Sequence, residues 1–382
     1  MGTVDLLQEK TYNPFFDDKK GHIENKKEEI NSSNVSNLLY TDKSSTKELL
    51  KLFNEYNQKR PKTISTGFKT LDSVLYGGFV TGLYILGAVS SLGKTSLALQ
   101  IASNIAEKGR DVLFFSLEMS AKELLAKIIS RFTFENCRDS ARNTIEILNN
   151  FLSEDEEQSK GEIDNRNKAF DRLKGFTNRI YISEGIGNIN VFDIKKRIEE
   201  HIKITGNTPF VVIDYVQIIA PIDVRMTDKQ AIDRNITELK RISRDFDCVV
   251  FGISSFNRES YKQEVSLTSF KESGAIEYGS DVLIGLQYKA LERCGGFGKI
   301  EGEKEYNLRK ANFYKELEEK RSKGEFLPLQ VKILKNRNGK ISKIDMFFKP
   351  PYNFFTDNEA ETKEEEIVDV IEIKRKGRKS KK

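Results

Sequence analysis

The chain has 382 residues, 38% hydrophobic and 32% charged, with a formal net charge of +5. That balance describes a soluble protein with a sizeable core, and it permits a polyanionic partner without requiring one. No apolar run approaches the ~18 residues needed to cross a bilayer, and the polar N-terminus lacks the regions of a secretory signal, so no membrane association is expected.

Residues 1–45 are polar, rich in Asn, Lys, Asp and Ser, and read as a flexible arm. Within them Tyr12-Asn13-Pro14-Phe15-Phe16 is a candidate docking motif. Over residues 46–60, Leu49, Leu50, Leu52, Phe53 and Tyr56 recur at helical spacing, with Ser44 or Ser45 as cap and Pro61 as terminator. This short amphipathic helix must bury its stripe on its own domain or on a neighbouring subunit. A single α/β domain is expected over residues 61–356. Apolar strands are predicted at Leu83–Leu86, Val112–Phe115, Arg179–Ile182, Phe210–Ile213, Val249–Ile253 and Val282–Leu286, with two more at Leu329–Leu334 and Ile344–Phe348. Helices are predicted over Thr95–Glu107, Ala121–Phe132, Asn165–Leu173, Val191–Ile204 and Lys229–Asp245. The alternation implies a mainly parallel twisted sheet flanked by helices, closed by an antiparallel edge from the last two strands. The charged stretch 289–326 reads as an insertion with a helix near Tyr306–Lys323, most simply a solvated excursion. Residues 357–382 form an acidic, then basic, disordered tail, whose last nine residues carry seven positive side chains able to hold a phosphate backbone.

The most telling stretch is Leu83–Thr95, LYILGAVSSLGKT. It reads as a strand, a small-residue turn and a helix start, the layout in which backbone N–H groups turn inward on an anion. Ala88, Val89, Ser90, Ser91, Leu92, Gly93, Lys94, Thr95 and Ser96 are the candidate nucleotide-binding set. In that pattern Lys94 reaches the β- and γ-phosphates and the Thr95 hydroxyl sits on Mg²⁺. Gly87 falls one residue too early for the first glycine of the motif, and Ala88 takes that place. Alanine serves there only if a positive φ is not required.

Three further groups point to hydrolysis. Asp214 ends the apolar strand Phe210–Ile213, where a carboxylate lies beside the phosphate crevice and can hold the Mg²⁺ water shell. A turn-capping Asp is the plain alternative. Glu118 follows Val112–Phe115 and is placed to orient or deprotonate an attacking water, or else simply to start a helix. Lys335 and Arg337, in Lys335-Asn336-Arg337-Asn338-Gly339, are cations at a strand end, and a cation on the γ-phosphate can be worth roughly 10³–10⁵ in rate. Taken alone, such a segment is more often a polar turn. Three unpatterned cysteines (Cys137, Cys248, Cys294) and only two histidines argue against disulfides and metal clusters, and fit a cytoplasmic protein.

Ser65–Phe79, the GKT turn, Phe114–Ser120 (FFSLEMS), Val211–Ile219 (VVIDYVQII), Ser254–Arg258 (SSFNR), Lys271–Val282 and KNRNG occur in one order. In that order the chain resembles the RecA-like C-terminal motor domain of DnaB-type replicative DNA helicases. The resemblance implies an ATP- and Mg²⁺-dependent helicase or translocase, a hexameric ring around single-stranded DNA with 5′→3′ movement. It also implies that Glu118 is the base, that Lys335 and Arg337 serve the adjacent protomer, and that the helix over 46–60 docks there. Arg225, Lys229, Arg258, Lys262, Lys271, Glu272 and Gly274 match the channel loops expected to meet DNA. Ser255 stands where the family has a glutamine sensor, and a serine reaches less far. The family's helical N-terminal domain is not recognisable ahead of the core, as in phage- or plasmid-borne relatives. A primase partner is therefore not carried over, and a loader or other replication protein is left as a partner class. The competing readings are a non-unwinding RecA-like ATPase of RadA or KaiC kind, and a DNA-binding adaptor with a vestigial ATPase. The intact Lys94 and Glu118 count against the latter.

Overall fold

The computed structural model describes residues 63–185, 189–256, 264–270, 274–293 and 303–362, together with Thr46, Leu50 and Asn54. The chain divides into an N-terminal unit, Met1–Pro61, and a second unit, Lys62–Lys382. In the first unit Thr46, Leu50 and Asn54 are helical and exposed. The predicted arm, the rest of the predicted linker helix, Cys294 and the basic end of the tail lie outside the described residues.

The second unit runs α1 (Lys69–Val74), β1 (Gly82–Ala88), α2 (Lys94–Glu107), β2 (Val112–Ser116), α3 (Ala121–Asn136), α4 (Thr144–Asn149), α5 (Glu156–Lys174), β3 (Ile180–Glu184), α6 (Val191–Thr205) and β4 (Phe210–Asp214). It continues with α7 (Asp228–Asp245), β5 (Val249–Ser255), α8 (Gly274–Gly279), β6 (Val282–Tyr288), α9 (Ala290–Arg293), α10 (Glu303–Ser322), β7 (Leu327–Asn336), β8 (Ser342–Lys349) and β9 (Phe354–Thr356). These strands form one nine-stranded sheet in the order β3-β2-β4-β5-β1-β6-β7-β8-β9. The first six are parallel, and β7, β8 and β9 add an antiparallel edge.

Strands β1, β2 and β4 are buried at every position, without the alternation of a half-exposed sheet. Parallel connections require crossovers, and crossover helices cover both faces, so unbroken apolar runs are what the topology demands. Phe79 locks this core from the loop ahead of β1. It is 0% exposed and its ring lies 4.9 Å from Tyr84, 5.3 Å from Phe210 and 5.5 Å from Phe251.

Three differences from the sequence reading bear on function. Strand β9 and the short helices α1, α4 and α8 were not anticipated, being too brief to show a period. Over its described residues the charged insertion is mostly exposed, as expected, but one face of its helix is seated on the domain. Its helix α10 seats Phe313, 8% exposed, against Tyr288 at a ring distance of 5.8 Å, with Leu291 and Leu317 in the same cluster. The ordered chain also runs into the segment read as tail, since Asp357 accepts hydrogen bonds from the Thr70 backbone N–H and hydroxyl, both at 2.7 Å.

Removing the Phe79 ring should leave a cavity where sheet and loop meet. Phe79→Ala is expected to cost about 3–5 kcal/mol, read in urea unfolding as a lowered midpoint with an unchanged slope.

Candidate active site

The phosphate loop leaves the centre of the sheet. Ala88 ends β1, in register with Ser255 of β5 on one side and Leu286 of β6 on the other. Within the loop only Ser91 (φ 63°) and Gly93 (φ 87°) are left-handed, so Ala88 meets the condition set for it. Gly93 has a second constraint: a Cβ there would lie 2.9 Å from the rings of Phe348 and Phe355. It is also the N-cap of α2 and supplies no capping side chain, which leaves the first N–H groups of a 14-residue helix for an anion.

Around this loop the expected chemistry converges. A cleft of about 440 Å³ is lined by Ser90, Ser91, Gly93, Lys94, Thr95, Ser96, Glu118, Asp214 and Ser255. Lys94 Nζ donates to the carbonyls of Ala88 and Val89, each at 3.1 Å, so its amine is folded back over the loop. Burial lowers its pKa, against the opposing pull of Asp214 and Glu118. Asp214 is the last residue of β4 and 1% exposed. Burial pushes its pKa up to about 6, with the hydrogen bond from Thr95 working the other way and the Glu118 charge adding to the rise. Its Oδ2 has no hydrogen-bond partner. Among the described residues no group of three His, Cys, Asp or Glu is placed to hold a metal. A buried, unpartnered carboxylate oxygen beside the Thr95 hydroxyl is nevertheless the donor set that a hard cation shared with phosphates requires. The residues therefore fit Mg²⁺. Glu118 lies across the cleft and is exposed, two residues beyond Ser116, which pairs with Asp214. Helix α3 begins directly after it because Ser120 and Glu123 form a reciprocal cap.

Three residues of the site were missed in the sequence. Lys127, on the inner face of α3, donates to Asn353 Oδ1 at 2.8 Å, and that oxygen also accepts from the Ser96 hydroxyl at 2.9 Å. Burial lowers the Lys127 pKa, with Glu123 and then Asp214 opposing. Gln217, just past Asp214, donates to the Ser254 hydroxyl at 2.9 Å and to the Ser255 carbonyl at 3.1 Å. A glutamine thus reaches the end of β5 from the turn that follows the neighbouring strand β4, beside Ser255. A larger groove of about 770 Å³ lies between α1, the end of α3 and β9, but it lacks the phosphate loop and its Arg172 is paired with Glu107 and Glu135.

Two expected residues lie elsewhere. Lys335 is level with Leu283 and hence with Ile85, while the Arg337 N–H bonds the carbonyl of Asp281, one residue ahead of β6. Arg337 therefore sits at the opposite edge of the sheet from the phosphate loop, roughly 17 Å down the strand axis. There Lys335 Nζ donates to the carbonyls of Glu277 and Ser280, and Arg337 donates to the Tyr278 carbonyl at 2.8 Å. Of the channel-loop residues, Arg225 is exposed but paired with Asp223 at 2.7 Å, Lys229 is exposed in the first turn of α7, and Gly274 opens α8. Arg258, Lys262, Lys271 and Glu272 lie outside the described residues.

The profile of the DnaB-like helicase C terminal domain matches residues 63–357. The chain belongs to this family. It is 27% identical over 322 residues to the replicative DNA helicase DnaB of Helicobacter pylori, spanning 79% of this chain and 61% of that one. The replicative DNA helicase DnaC of Bacillus subtilis is 27% identical over 317 residues, with 80% and 59% covered. The chain thus spans about three-fifths of the length of these relatives. A solved DnaB-like replicative helicase, described with its interactions with primase, superposes with a TM-score of 0.62 at 21% identity, over 85% of this chain and 70% of that one. A solved ATPase domain superposes with a TM-score of 0.64 at 23% identity, over 83% of this chain and all of its own. The fold is the RecA-like one shared with these ATPase domains.

The raised Asp214 pKa gives a signed expectation. The folded chain holds that proton more tightly than the unfolded one, whose carboxyl titrates near 3.8. The fold should therefore lose stability as pH rises through about 6. Asp214→Asn is expected to be more stable than the parent at pH 7.5, by up to about 3 kcal/mol, and the gap should close towards pH 4 in urea unfolding.

Proposed function

We propose that the chain is the motor of an ATP-driven DNA helicase or translocase that works on single-stranded DNA as a ring of identical subunits. The observation that carries this reading is the separation of Lys335 and Arg337 from the phosphate loop of their own chain. No rotamer of an arginine side chain spans that distance. These cations can act on a phosphate only in a neighbouring copy stacked head to tail, which makes each site a product of two subunits.

Within such a site the loop N–H groups and the end of α2 bind the triphosphate, and Lys94 exchanges its carbonyl partners for a phosphate oxygen. Held by Thr95 and Asp214, Mg²⁺ would neutralise charge on the β- and γ-phosphates. Glu118 orients the attacking water and accepts its proton. Lys335 and Arg337 of the next subunit stabilise the charge that develops on the transferred phosphoryl group. Gln217 links this chemistry to DNA. It holds Ser254 and Ser255 at the end of β5 and stands directly before the segment carrying Arg225 and Lys229. With Arg258, Lys262, Lys271, Glu272 and Gly274, that segment is proposed to follow the sugar-phosphate backbone without reading sequence. Movement in the 5′→3′ direction, a hexameric ring, and contact with a loader or other replication protein rest on family resemblance alone.

The test is ATP hydrolysis, with and without single-stranded DNA, by wild type, Glu118→Gln, Arg337→Ala and an equimolar mixture of the two variants. DNA should stimulate the wild type, and each variant should lose roughly 10³-fold or more. Activity should return on mixing, because Glu118 of one variant then meets Arg337 of the other. An Arg337→Ala protein with wild-type hydrolysis would overturn the shared site. Hydrolysis indifferent to DNA would favour the non-unwinding ATPase.

A further inference from the structure

The phosphate loop has a second neighbour that the chemistry above does not use. Helix α10, from the charged insertion, returns to the sheet over the end of β6, where Phe313, Leu317 and Leu291 pack with Tyr288. One turn later its Arg321 reaches the loop itself. Arg321 Nη2 donates to the Ser91 carbonyl at 3.1 Å and to the Tyr288 hydroxyl at 2.6 Å. A cleft of about 380 Å³ separates helix and loop, walled by Ser90 and Ser91, which also wall the candidate active site on their other side. The loop is therefore a thin partition, with the phosphate cleft on one side and α10 on the other.

Ser91 is the one non-glycine residue of the loop in the left-handed region. That conformation is strained for an L-residue and needs outside support to persist. Arg321 supplies such support by holding the Ser91 carbonyl on the α10 side. A peptide unit is planar and trans, so fixing this carbonyl also fixes the N–H of Leu92, which points the opposite way.

We propose that Arg321 is a positioning residue for nucleotide binding, and that α10 is a strap that sets the affinity of the phosphate loop from behind. The proposal rests on the reading of that loop as a nucleotide site. Arg321 touches neither the cleft that holds the phosphates nor the reacting atoms. Its effect should thus fall on the affinity for nucleotide and spare the chemical step.

The experiment is nucleotide binding and steady-state hydrolysis by the full chain as wild type, Arg321→Ala, Arg321→Lys, Phe313→Ala, the Arg321→Ala/Phe313→Ala double variant, and Lys94→Ala. Arg321→Ala should weaken binding of ADP and raise KM for ATP roughly five- to tenfold, the worth of one such hydrogen bond. Its kcat at saturation and its melting temperature should be unchanged. Arg321→Lys, which keeps a donor, should recover part of the affinity. Phe313→Ala should reproduce the loss by detaching the helix, and the double variant should be no worse than the weaker single one. If Arg321→Ala binds ADP like wild type, or loses kcat and melting temperature instead of affinity, the strap is wrong. Lys94→Ala separates the two ideas. Unchanged binding there would remove the nucleotide site itself, while lost binding beside a wild-type Arg321→Ala would remove only the strap.

Discussion

Parallel pairing of β1 with β5 on one side and β6 on the other is the constraint from which the site follows. A parallel sheet brings the carboxyl ends of its strands to one edge, and a strand buried on both flanks cannot move without breaking two ladders. Ala88, Asp214 and Ser255 are each the last residue of a strand, and Ser116 precedes Glu118 by two. The four loops that leave those strands are consequently held in one place by the parallel ladders beneath them, and contacts such as Gln217 with Ser254 and Ser255 add to that. That arrangement lets the functional groups stay under-satisfied. Asp214 keeps an unpartnered oxygen, and the first turn of α2 keeps donors without a cap, because neither is needed to hold the fold.

Electrostatics within the cleft divides by burial. Lys94, Lys127 and Asp214 are all pushed towards their neutral forms by desolvation, and each is drawn back by an opposite charge among the others. A cluster of this kind is poised. Bringing in a triphosphate with a cation would give the lysines a stronger anion and the carboxylate a metal, and would relieve all three at once. Glu118 stands apart from them on the solvent side.

How much of this could be read in the sequence varies with range. The sheet core was legible because buried parallel strands are unbroken apolar runs, and the phosphate loop because glycine, lysine and threonine follow such a run directly. Glu118 and Asp214 were legible because strand ends share an edge. Lys127 and Asn353 were not, since their contact joins residues 226 positions apart and neither lies at a strand end. Gln217 was noted only as part of a motif, because nothing local says its amide crosses to β5. The insertion misled for a different reason. Its charges suggested solvent, whereas one face of a single turn, carrying Phe313 and Leu317, was enough to seat it. Strand β9 has three residues and no detectable period, yet it brings Phe355 against Gln100, whose amide bonds its backbone on both sides.

Under the proposed sharing of each site between copies, the placement of the phosphate loop and Arg337 at opposite edges has a stoichiometric consequence. A contact that joins unlike faces has no two-fold axis, so every copy offers one donor edge and one acceptor edge. An open row of such copies always holds one complete site fewer than it has subunits, with a vacant loop at one end and an idle arginine at the other. Closing the row adds a last site without adding a chain. Catalytic capacity per subunit is then itself a gauge of whether the assembly is a circle or a line.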